Sequence, residues 1–213
     1  MKDQQLVPFK TLAKVSDSIV LFIDHQSVFM QTIENVPVAT VRNTTSALAT
    51  AATLLGVPVI ITSIDPEQNG RVLPEIIAGA PNAVHIVRAV EINAWDHKEF
   101  VQAVKATKAK TLIICGIWTS VCATFPALSA LQEHFTVYLV TDACGDVSQE
   151  AHENAIRRCT QAGALPVTAN SIIAELQGTW DRPEAGQLKS IYAEIIPRFK
   201  IILEGTTQSL TVS

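Results

Sequence analysis

The apolar and polar positions of the chain fall into short runs that alternate between two periods. Residues 18–26, SIVLFIDHQ, are nearly all apolar until they turn polar at the end, the pattern of a strand buried on both faces. VATVRNTTSALATAATLLG then predicts a helix closed by Gly56, and VPVIITSI a second buried strand. A loop rich in Gly, Pro and Asn leads to AVHIVRA, a third strand. DHKEFVQAVKATKAK follows as a helix with Asp96 at its N-cap and Glu99 three residues on. TLIICGI is the fourth strand, VCATFPALSALQEH a helix with Pro126 in its first turns, and FTVYLVTDA the fifth strand. SQEAHENAIRRCTQAG predicts a helix capped by Ser148 and ended by Gly163, with Ala151, Ala155, Cys159 and Ala162 on one face. ALPVTA is a shorter sixth strand. From Ser171 onward the pattern is helical, interrupted by a loop around TWDRPEAG.

Six strands alternating with helices imply parallel pairing through crossovers, and so an α/β fold: a three-layer α/β/α sandwich with a six-stranded, mainly parallel sheet. Neither an internal repeat nor a linker interrupts it. The expectation is one domain over 1–213, with a core at about 17–176 and a helical C-terminal segment at 177–213.

Composition narrows the function classes. Charged residues make up 17% of the chain against 48% hydrophobic ones, which points to a packed core rather than disorder. A net charge of −4 with scattered Lys and Arg argues against nucleic acid, because no basic stripe faces a phosphate backbone. Two uncharged windows, Asn43–Ile64 and Thr111–Gln132, reach membrane-spanning length but are broken by Gly56 and Pro58 and by Gly116 and Pro126. They read as strand–helix pairs, so no membrane partner is expected. The N-terminus lacks the apolar core of a signal peptide. The four cysteines, at 115, 122, 144 and 159, show no C-x-x-C spacing, so reduced thiols and a cytoplasmic location are expected.

Ligands of open parallel sheets gather at the carboxyl ends of the strands. That rule selects Asp24, Ser63 and Asp65, Arg88, Cys122, and Asp142 with Cys144. Cys122 stands where a strand hands over to a helix, and thiolates at helix N-termini are stabilised by free N–H groups and the macrodipole. Asp24 could take its proton and Arg88 orient the charges. A free cysteine is also among the most buried residue types, so spacing alone leaves Cys122 open between nucleophile and core filler.

LFIDHQ, INAWD and CGIWTSVCATFPALSAL together resemble the isochorismatase-like cysteine hydrolases, close to the YcaC-like branch, from about Ile19 to about Leu176. The resemblance implies a triad of Asp24, Arg88 and Cys122, and a cis peptide at Trp118–Thr119. It implies an oxyanion hole from the backbone N–H groups of Thr119 and Cys122, and a pocket with Gln26, Asn93 and Trp118. It implies hydrolysis of a small amide or related acyl compound through a Cys122 thioester, and a homo-oligomer, up to an octamer of two stacked tetramers. One departure is Arg88 where the family mostly carries Lys; a guanidinium does not surrender its proton, so its role is electrostatic. Nicotinamidases of the superfamily hold a metal through histidines, but TSIDPEQNG has none, so no metal and no cofactor are expected.

Two alternatives remain: an isochorismatase cleaving a vinyl ether, and a non-catalytic or redox-responsive binding protein on the same fold. Trp118 could equally be core. Cys115, Cys144 and Cys159 read as structural, and His25, pointing away from Asp24, as a core or interface residue. The stretch LKSIYAEIIPRFKIILEG is apolar enough for packing or an interface.

Overall fold

The computed structural model describes residues 12–196, 198, 199 and 201. In chain order the elements are β1 (Ser18–Ile23), α1 (Ser27–Met30), α2 (Val38–Leu54), β2 (Val59–Ile64), α3 (Pro66–Asn69), α4 (Pro74–Gly79) and β3 (Val84–Arg88). Then come α5 (Lys98–Ala106), β4 (Thr111–Gly116), α6 (Thr124–Gln132), β5 (Thr136–Val140), α7 (Gln149–Gln161), β6 (Leu165–Val167), α8 (Ala169–Gln177) and α9 (Ala185–Ile195).

All the strand pairings are parallel, in the order β3-β2-β1-β4-β5-β6. Every residue of β1 and β4 is buried, as expected of neighbouring central strands covered on both faces. The edges differ: β3 exposes Val84, His85 and Val87, and β6 is three residues long with Pro166, a residue that only an edge tolerates. On one face α4, α8 and α9 pack against α2; on the other α5, α6 and α7 lie along the sheet, with α6 against α7 and α5 against β2 and β3. This is the expected three-layer sandwich.

The strand order makes β1 and β4 the switch point, where successive crossovers depart in opposite directions. In such sheets this opens a crevice beyond the two carboxyl ends. Asp24 follows β1 there, and Gly116 ends β4.

Local differences from the sequence pattern have physical causes. The stretch after β2, expected as loop, holds α3 and α4, each started by a proline at its first position. Asp96 is not the cap of α5: it ends a 3-10 turn at Ala94–Asp96, and His97 takes the N-cap without a side-chain bond. Ser148 does cap α7, accepting from Ala151 N. Of the apolar C-terminal stretch, Leu188, Ile191 and Tyr192 are buried core, while residues 202–213 lie outside the described residues.

Candidate active site

Asp24 leaves β1 with a left-handed backbone, φ 57°, which Asp tolerates better than most residues. A tight turn follows, in which Gln26 N donates to Asp24 O at 2.7 Å. The Asp24 carboxylate is fully buried, and burial of such a charge requires partners. It has them: Thr62 Oγ1 donates to Oδ1 at 3.1 Å, and the Arg88 guanidinium forms an ion pair with Oδ2. Arg88, at the end of β3, is itself fully buried and also donates to the carbonyl of Glu91.

Cys122 arrives from β4 by a turn that Gly116 makes possible. A Cβ there would stand 3.0 Å from both Ala123 N and Ile23 O, so any larger residue would press on the backbone of strand end and turn. Thr119–Ala123 wind as a single π-type turn ahead of α6, and Cys122 lies in it, 7% exposed, rather than in the first turn of an α-helix. Its thiol hydrogen-bonds the Asp24 carboxylate. The structure therefore brings together Asp24, Arg88 and Cys122, residues from three strand ends, at the switch point.

The electrostatics differ from the expected helix-terminus thiolate. Burial pushes the Cys122 thiol well above its ordinary range, and the negative charge of Asp24 and the hydrogen bond to it push it further. Arg88 and the backbone N–H of Trp118 act in the opposite direction but do not prevail. The group at rest is therefore a thiol already bonded to an acceptor, the Asp24 carboxylate.

Several expectations are corrected. The cis peptide is Ile117–Trp118, one bond earlier than expected; Ile117, bridged to Gly145, still belongs to the sheet edge and the turn begins after it. The Thr119 N–H donates to Gly145 O at 2.9 Å and is not free to serve an oxyanion hole. Gln26 is fully buried, and its amide is spent on backbone: Nε2 donates to Ile64 O at 3.0 Å and Gly70 O at 2.8 Å, while Oε1 accepts from Ile64 N at 2.7 Å. It clamps the end of β2, with both amide atoms held by backbone. Asn93 caps the 3-10 turn through Trp95 N and bonds Ser129 Oγ at 3.1 Å, so its amide too is engaged within the protein.

Trp118 is half-buried, its indole N–H on Thr32 Oγ1 at 2.6 Å and its ring 5.5 Å from that of Phe29, a position suited to a wall beside Cys122. His25 is core, as expected: Nε2 bonds Ala143 O at 2.9 Å and burial lowers its pKa to about 4. Cys115, Cys144 and Cys159 are all buried. Asp65, Asp142 and Ser63 lie at the same edge; the Asp65 carboxylate accepts from Gln68 N and that of Asp142 from Ala169 N.

Two further residues, without a local signal in the sequence, support the cluster. Thr62 is the second partner of Asp24. Asp146 is fully buried, and its carboxylate accepts Ser120 N at 2.7 Å and Val147 N at 2.9 Å, pinning the start of the turn that carries Cys122. Its own N–H donates to Asn35 Oδ1 at 2.7 Å. Behind it, Thr119 Oγ1 stands 2.8 Å from His152 Nδ1. The signal available was the acidic residue in TDACGD, but its pairing with Ser120 spans 26 residues and leaves no local pattern.

Among the described residues no group of three or more His, Cys, Asp and Glu could hold a metal ion, and no helix is long and apolar enough to cross a membrane.

Comparison with known proteins gives the same frame. The isochorismatase domain model matches residues 18–171. A probable hydrolase YcaC of Escherichia coli K12 is 37% identical over 197 residues, covering 92% of this chain and 94% of its own. Among solved structures, YcaC from Pseudomonas aeruginosa with hexane-2,5-diol and covalent acrylamide superposes with TM-score 0.89 at 35% identity, covering 92% of this chain and 98% of the other. The Escherichia coli YcaC gene product, described as an octameric hydrolase of unknown specificity, gives TM-score 0.89 at 36% identity, covering 96% of this chain and 98% of that one. With a domain model matched over most of the chain and relatives this similar from end to end, the chain belongs to the isochorismatase family of hydrolases, close to its YcaC-like branch.

Proposed function

We propose that this hydrolase acts on a small amide or related acyl compound, with Cys122 as nucleophile, Asp24 as proton carrier and Arg88 as fixed electrostatic support. The observation that carries the reading is the buried thiol–carboxylate–guanidinium cluster at the switch point. The covalent acrylamide on the Pseudomonas relative supports a reactive nucleophile in this branch; acrylamide bonds through its alkene, so it bears on nucleophilicity and not on cleavage of the amide.

In the first step the Cys122 S–H proton passes to Asp24 as sulfur attacks the acyl carbon. The positive charge of Arg88 favours the ion pair as it forms and holds the carboxylate in place. The oxyanion is met by the backbone N–H groups of Cys122 and Trp118, the latter already directed at the sulfur. Protonated Asp24 gives its proton to the departing nitrogen, and the C–N bond breaks to leave a thioester. Asp24 then takes a proton from water, whose oxygen attacks the thioester; the acid leaves, and the proton returns to Cys122 sulfur. Trp118 walls the pocket. A cytoplasmic enzyme is the accompanying reading, and the octamer of the Escherichia coli relative supports the same assembly here.

The test is turnover of a panel of small amides, read as acid and amine released. Cys122→Ala abolishes release, and Asp24→Asn lowers it about 10²–10⁴-fold. A vinyl ether cleaved equally well by Cys122→Ala would replace this reading with isochorismatase chemistry.

A further inference from the structure

The crossover between β2 and β3 carries only the short helices α3 and α4, and α4 packs against α2 rather than over β3. One face of β3 is therefore uncovered, with His85 and Val87 exposed, while Ile86 and Arg88 are buried. Between α4 and this face lies a cavity of about 550 Å³ lined by Ser63, Arg71, Val72, Pro74, Ile77 and His85, among others. That volume is typical of small-molecule sites. Side chains alternate along strands, so Ser63 and His85 face away from Thr62 and Arg88, and the sheet separates this cavity from the Asp24 cluster.

Its chemistry is divided. Val72, Pro74 and Ile77 make apolar walls. At the floor the fully buried Ser63 hydroxyl is 3.0 Å from His85 Nε2, a pair that the Cys122 chemistry does not use. Exposed Arg71 lines the mouth and forms no ion pair among the described residues. Of the nearby acids, Glu75 pairs with Arg42 at 2.5 Å and Asp65 accepts from Gln68 N at 3.3 Å, while exposed Glu67, beside Pro66, forms no ion pair among the described residues. No carboxylate orients the His85 ring among the described residues, so the pair forms a polar anchor and not a second hydrolytic centre.

We propose that this cavity binds a small carboxylate with an apolar chain. The chain lies against Val72, Pro74 and Ile77, and the carboxylate is directed to Arg71 and His85. The site is independent of the Cys122 reading.

The test titrates the purified protein with hexanoate and with hexan-1-ol, followed by calorimetry and saturation-transfer NMR. Hexanoate saturates and binds more tightly than the alcohol. Arg71→Ala weakens hexanoate about threefold to fivefold, the scale of a partly exposed ion pair, and leaves the alcohol unchanged. Ala78→Trp, which fills the cavity from α4, abolishes both, and Cys122→Ala changes neither. No saturation up to about 20 mM hexanoate, the outcome if a neighbouring subunit covers this face, overturns the proposal. So does binding that Arg71→Ala leaves intact or that Cys122→Ala removes.

Discussion

Arg88→Met separates the electrostatic role of Arg88 from its bulk. The substitution keeps an unbranched side chain of similar length but removes the charge opposite Asp24. Both side chains are fully buried, so the abandoned carboxylate has no water to turn to and keeps only two neutral donors, the Thr62 hydroxyl and the Cys122 thiol. Removing one partner of a buried ion pair costs about 3–5 kcal/mol, a large part of a total stability of about 5–15 kcal/mol. With a urea m-value of about 2 kcal/mol per molar, the unfolding midpoint falls by about 1.5–2.5 M. The measurement is made at pH 7 and fixed protomer concentration, because assembly would add to apparent stability.

The companion variant is Asp24→Asn with Arg88→Met. Asn tolerates the left-handed backbone at position 24, so the double variant removes both charges without new strain. It recovers most of the loss, since a neutral pair leaves no uncompensated charge. A single variant within about 1 kcal/mol of wild type, or a double variant costing the sum of the two singles, would refute the argument.

Further expectations follow from the same geometry. Burial raises all four thiols, Cys144 to about 12, so above about pH 8.5 the unfolded chain loses protons that the native state keeps. Stability is thus fully present below that pH and falls by up to about 1.4 kcal/mol per pH unit for each thiol above it; urea midpoints flat from pH 8 to 10 would contradict this. His25 has the opposite sign: its pKa is lowered to about 4, so its contribution is present above about pH 6.5 and is lost as pH falls towards 4. His25→Gln flattens that acid limb of the stability profile. Gln26→Leu destabilises by about 2–3 kcal/mol through its lost backbone bonds, and at permissive temperature leaves KM for any amide substrate within about twofold; a selective rise in KM would restore Gln26 to the pocket. Asp146→Ala frees the Ser120 and Val147 N–H groups, costs about 2–4 kcal/mol and lowers the Cys122 alkylation rate in the folded protein, read by peptide mass spectrometry.

The sheet was legible because buried parallel strands leave uninterrupted apolar runs, as in SIVLFI and TLIICG; the rule for strand ends put Asp24, Arg88 and Cys122 among seven candidates, and the family resemblance singled them out. Side-chain direction beyond a strand end was not. Gln26 follows Asp24 by two residues, but the left-handed residue and the tight turn direct it into the backbone of β2. Thr119 carries the motif, yet its N–H was claimed by Gly145, a pairing across 26 residues that no local spacing reveals. The thiol's ionisation differs from the helix-end expectation for the same reason: that logic is local, whereas desolvation and the charge of Asp24 arise only when distant segments close over Cys122.

The central claim is that Cys122 forms a covalent acyl bond with substrate. Mass spectrometry of the protein quenched in acid during incubation with small amides tests it most directly. An acyl adduct is expected on the peptide bearing Cys122, absent from peptides bearing Cys115, Cys144 and Cys159, and forming more slowly in Asp24→Asn. Amide turnover with no adduct, undiminished in Cys122→Ala, would contradict it.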